Sequence, residues 1–81
     1  MPTPVYSRVE LRAAMSDNDI LYALGYDPER VRSHRNQGPD GYSMTYKARS
    51  GDSITITRSI VTGVFVMQSG SINRSWELGN S

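Results

Sequence analysis

The sequence predicts an α+β domain, with two to three short N-terminal helices packed on a three- to four-stranded antiparallel β-meander. Three observations lead there. Helix-start signals recur at Ser7, Ser16 and Asp27. A breaker cluster, Gln37-Gly38-Pro39-Asp40-Gly41, then ends the helical grammar. Beyond it the apolar residues alternate with a period of two, as in strands with one buried face.

Each helix start has its own chemistry. Ser7 and Glu10 form a capping box with Tyr6 and Leu11 as the staple, predicting a helix through Met15. Ser16 repeats the pattern with Asp19, staple residues Met15 and Ile20, and acids placed at the positive end of a helix. Ile20, Leu21 and Leu24 make the apolar stripe of this second helix, and Gly25 ends it. Asp27 then caps, Pro28 takes the first helical position, and Tyr26 with Val31 is the staple, predicting a third helix to about Asn36.

The second half is expected to be sheet. Tyr42, Met44, Tyr46 and Ala48 fall on one face, with Ser43, Thr45, Lys47 and Arg49 on the other. Ser50-Gly51-Asp52 turns the chain into a strand from Ser53 to Ile60, with Ile54, Ile56 and Ile60 in the apolar register. Thr62-Gly63 and Ser69-Gly70-Ser71 are the next turns, around a strand from Val64 to Gln68. Ile72, Arg74, Trp76 and Leu78 alternate in the last strand. The expected core is Leu11, Ile20, Leu24, Val31, Ile54, Ile56, Val66 and Trp76. Arg58 and Arg74 are out of place in that apolar register, which predicts sheet-margin positions, pairing with Glu77 or Asp52, or an interface.

At 81 residues the chain reads as one small domain, 7–36 helical and 42–78 sheet, with 37% hydrophobic residues and no cysteine. Disulfide staples are excluded, and His34 alone cannot supply a structural zinc site, so self-association, as in a homodimer, is a reasonable expectation. The net charge of +1 argues against bulk electrostatic binding, and the charges divide unevenly. Residues 1–41 carry five bases and six acids, residues 42–81 four bases and two acids. Lys47 is the only lysine, an arginine bias that suits bidentate recognition and also fits a plain compositional bias. No signal peptide or membrane span is recognisable, so a soluble, cytoplasmic protein without a membrane partner is expected. Asn73-Arg74-Ser75 matches a glycosylation acceptor, a chance match in such a protein.

Little here suggests catalysis. Nucleophilic chemistry would have to run through His34, the one histidine, activating one of many serines. Phosphate-cradling glycine loops are missing, no cofactor is called for, and Asp17-Asn18-Asp19 fails as a calcium loop at Leu21 and Tyr22. The chain is expected not to be an enzyme.

Residues 16–38 resemble a helix-turn-helix: a helix, a glycine turn, and a second helix carrying Arg30, Arg32, His34 and Arg35. Departures from that pattern are Leu21, where a small residue is usual, and His34, where an apolar one is. Asp27 and Glu29 would face the phosphates, and the plain alternative is a helical hairpin with a solvated arginine face. The resemblance implies nucleic-acid contact through Arg30, Arg32, His34 and Arg35, helped by Lys47 and Arg49. A second nucleic-acid surface is conceivable on the polar sheet face, through Thr45, Lys47, Arg49, Thr55, Thr57, Asn73 and Ser75. The leading expectation is therefore a small regulatory nucleic-acid binder. The alternative is a compact inhibitor or adaptor of the phage or mobile-element type. It would dock on an acidic protein surface through the same arginines, or by strand addition at a sheet edge.

Overall fold

The computed structural model describes residues 11–79. Its order is helix α1 (Asp17–Ala23), a single 3-10 turn (Pro28–Arg30), and strands β1 (Arg32–Gln37), β2 (Gly41–Lys47), β3 (Ser53–Ser59), β4 (Gly63–Ser69) and β5 (Arg74–Gly79). The strands form one antiparallel sheet in sequence order.

This overturns the expectation of two to three helices on a three- to four-stranded sheet, and with it the α+β description. The described residues contain one short α-helix and a five-stranded sheet. Ser7 to Glu10 lie outside the described residues, and Leu11 to Met15 form a turn closed by Met15 N–H to the Arg12 carbonyl at 3.0 Å. The third helix is replaced by β1. Its start signals do act locally, since the Asp27 carboxylate accepts the Glu29 amide at 3.0 Å and Pro28 opens the turn. However, Arg32 to Gln37 offers no apolar face that would stabilise a helix by packing. Pairing with β2 satisfies the inward-facing half of the same backbone groups without one, the rest facing outward at the sheet edge.

Helix α1 stands where its signals put it. Ser16 accepts the Asp19 amide at 3.2 Å. At the other end Tyr26 N–H reaches the Leu21 carbonyl at 2.8 Å and Gly25 N–H the Tyr22 carbonyl at 3.0 Å, with Gly25 at φ 89°. That is a Schellman closure, and it turns the chain back toward the sheet.

The core lies between α1 and one sheet face. Ile20, Leu21 and Leu24 pack on Ile54, Ile56 and Val66, while Leu11, Met15, Tyr26, Val31, Tyr46, Val64, Trp76 and Leu78 close its margins half-buried. Leu21 is fully buried, so the position that a helix-turn-helix keeps small is here a central core residue. With no second helix after Gly25, the helix-turn-helix resemblance does not hold. Arg58 shares the helix-covered face and is held there by Asp17 at 2.5 Å, in place of the expected Glu77 or Asp52.

Candidate functional site

All described elements other than the strands lie on the side of Ile54 and Ile56, which leaves the opposite sheet face open. Directly paired residues of antiparallel strands share a face, so the register fixes what the open face carries. Three rows run across it. The first is Arg32, Lys47, Ser53 and Ser69. The second is His34, Thr45, Thr55, Met67 and Ser75. The third is Asn36, Ser43, Thr57, Phe65 and Glu77. A hydrogen bond of 3.2 Å between the Thr45 and Thr55 hydroxyls confirms the shared side.

The local sequence explains this surface. Ser53 to Thr57 alternates isoleucine with hydroxyl residues, so burying Ile54 and Ile56 turns Ser53, Thr55 and Thr57 outward. In β1 all six residues are exposed, and pairing with β2 assigns Arg32, His34 and Asn36 to the open face. Ser33, Arg35 and Gln37 take the other.

Charge is concentrated at one end. Arg32 stands directly opposite Lys47, both exposed, and among the described residues neither forms an ion pair. Glu77 is the one acid in the rows and sits at the far corner beside Phe65. Met67 is 45% exposed in the middle row, an uncovered thioether next to Thr55.

The sequence-stated binding residues are thus divided. Arg32, His34 and Lys47 come together on the open face. Arg35 lies on the opposite face, its guanidinium 4.1 Å from the Tyr42 ring centre and bonded to Gln37 at 3.0 Å. Arg30 is on the 3-10 turn, 3.5 Å from Asp27. Arg49 is exposed beyond the end of β2. Phe65 and Met67 were missed as surface residues, because β4 reads as a nearly continuous apolar run and hides its alternation.

A cleft of about 830 Å³ opens at the same end of the sheet as Arg32 and Lys47. Its lining includes Leu24, Val31, Ala48 and Ile72, with Arg30, Arg32 and Arg49 among its charged residues. Gln68 donates to the Tyr26 hydroxyl there at 2.9 Å, and burial raises the Tyr26 pKa above its ordinary value. Asp52 is occupied by the amide and hydroxyl of Ser71, at 3.0 to 3.2 Å.

No group of three His, Cys, Asp or Glu side chains able to hold a metal ion occurs among the described residues. No helix among them is long and apolar enough to cross a membrane. No family model, curated protein or solved structure matches the chain.

Proposed function

We propose that this chain is a non-enzymatic binding module that holds single-stranded nucleic acid against the open face of its sheet. The observation that carries the reading is the opposition of Arg32 and Lys47 with no acid between them. Like charges directly across a strand pair weaken a sheet. A phosphate between them converts that repulsion into two charge-assisted contacts.

The remaining rows suit the rest of a nucleotide chain. The hydroxyls of Thr45, Thr55, Thr57 and Ser75 exchange hydrogen bonds with sugars and base edges. His34 and Phe65 offer ring faces for stacking, on the two sides of that hydroxyl field. Five strands at a spacing of about 4.8 Å give a face about 20 Å wide, broader than the major groove of about 12 Å. The face therefore favours unpaired bases over a duplex.

A second reading rests on the outer edge of β1, whose six residues are exposed and whose far side pairs with nothing in the sheet. A partner protein could extend the sheet there by strand addition.

Fluorescence anisotropy of a labelled single-stranded oligonucleotide at low salt distinguishes the two. The open-face reading predicts binding that weakens with salt at a log–log slope of about −0.7, for the one phosphate held between Arg32 and Lys47, and exceeds duplex binding. An absence of binding at low salt overturns it and leaves strand addition.

A further inference from the structure

We propose that the chain associates head to tail with a second copy, the Ile60–Val61 tip of one molecule seating in the cleft at the opposite sheet end of the next. This contact does not rest on the nucleic-acid reading, although Arg32 takes part in both.

The tip is a built feature. Ile60 is 84% exposed and Val61 66% exposed, at the β3–β4 turn. Turns favour Gly, Asn, Asp and Ser, and a β-branched aliphatic pair there gains nothing from the fold itself. Three hydrogen bonds hold it out. Ser59 Oγ accepts the Val61 amide at 3.1 Å and the Thr62 amide at 3.3 Å, and the Asp40 carbonyl accepts the Ile60 amide at 2.9 Å. A preorganised apolar knob of this kind loses little entropy when it is buried.

The cleft has the matching character. Leu24, Val31, Ala48 and Ile72 give it apolar walls, and its volume of about 830 Å³ exceeds what two aliphatic side chains need. For scale, an apolar cavity of about 150 Å³ already accepts benzene. Its charges are Asp27, Glu29 and Asp52 against Arg30, Arg32 and Arg49. Asp27 pairs with Arg30 and Asp52 is taken up by Ser71, which leaves Arg32 and Arg49, beside Glu29, to meet an incoming acid. Asp40 brings an acid to the tip end, its backbone carbonyl accepting the Ile60 amide. Asp40 and Glu77 at the tip end also disfavour an anionic bilayer as the occupant, and Arg58 at that end is bound to Asp17.

Knob and cleft lie at opposite ends of the seven-residue strand β3, about 23 Å apart, so a molecule cannot fill its own cleft. Such a contact is heterologous and propagates into rings or filaments. Two seated residues bury far less than the roughly 1,200 Å² of a stable complex, so association is weak and depends on concentration.

Sedimentation equilibrium over a concentration series tests this. Wild-type average mass rises above the monomer at high protein concentration, and Ile60→Asp and Ala48→Trp each remain monomeric alone. An equimolar mixture of the two variants forms dimers and stops there, because one contributes the cleft and the other the tip. Arg49→Glu serves as the cleft variant if Ala48→Trp does not fold by circular dichroism. A monomeric wild type at about 1 mM, well above micromolar affinity, overturns the proposal. So does association of Ile60→Asp equal to wild type, or failure of the mixture to dimerise.

Discussion

Asp17 at the start of α1 and Arg58 in the middle strand meet at 2.5 Å, although 41 positions separate them in the chain. The guanidinium also donates to the carbonyls of Ala13 at 3.3 Å and Met15 at 3.1 Å. The second oxygen of Asp17 accepts the Tyr46 hydroxyl. Four elements, the turn before α1, the helix itself, β2 and β3, are thereby tied at one junction. It fixes which sheet face the helix covers, and hence which face stays open.

Arg58→Ala is expected to cost about 2–3 kcal/mol, because the partners are only 23% and 20% exposed and two carbonyls and a carboxylate lose a donor. Asp17→Ala should cost less, since Arg58 keeps both carbonyls. Urea unfolding of the single and double variants measures both, and their coupling should exceed about 0.5 kcal/mol for groups in direct contact.

Tyr46 adds a pH dependence. Burial first, then the hydrogen bond to Asp17, raises its pKa well above the ordinary tyrosine value. A raised folded-state pKa contributes stability that is complete below the unfolded value of about 10 and is lost as pH climbs beyond it. Stability should therefore fall steeply above about pH 10. Tyr46→Phe should flatten this alkaline limb and leave the part owed to Tyr26, whose pKa is also raised. Denaturant midpoints between neutral and alkaline pH give the comparison.

Gly41→Ala tests the close approach of β2 to β3. A Cβ there would lie 1.9 Å from the Arg58 carbonyl oxygen and 2.9 Å from Ser59 Cα, both backbone atoms that cannot turn aside. The expected loss exceeds about 2 kcal/mol. Gly51→Ala, at φ 99° with open space around it, should cost only its backbone strain of about 1 kcal/mol. Thermal melts of the two variants should rank in that order.

Leu21→Ala should cost about 2–5 kcal/mol, because the side chain is fully buried between α1 and the sheet. Chemical denaturation reads this directly. A loss below about 1 kcal/mol would indicate that the site is not a core position.

Much of this architecture is legible in the residues. Ser16 and Gly25 bracket α1, and the alternation of Ile54 and Ile56 with hydroxyl residues marks β3 and its buried side. What misleads is the segment from Asp27 to Gln37. A genuine cap and a well-placed proline start a helix there, and only the absence of an apolar face shows that it cannot continue. The strand it becomes has no alternation of its own, since all six residues are exposed and its register is imposed by β2. The candidate site suffers from the same gap. Lys47, Thr45, Thr55 and Thr57 share a face by simple alternation. The addition of Arg32 and His34, and the removal of Arg35 to the far side, depend on a strand pairing that local sequence does not encode.

That division of β1 supplies the most direct measurement of the central claim. Arg32→Glu and Arg35→Glu change the charge of the same strand equally, on opposite sheet faces. Oligonucleotide binding through the open face predicts that Arg32→Glu weakens affinity about tenfold or more, Lys47→Glu similarly, and Arg35→Glu less than about twofold. Equal losses from Arg32→Glu and Arg35→Glu, or a larger loss from Arg35→Glu, would contradict it.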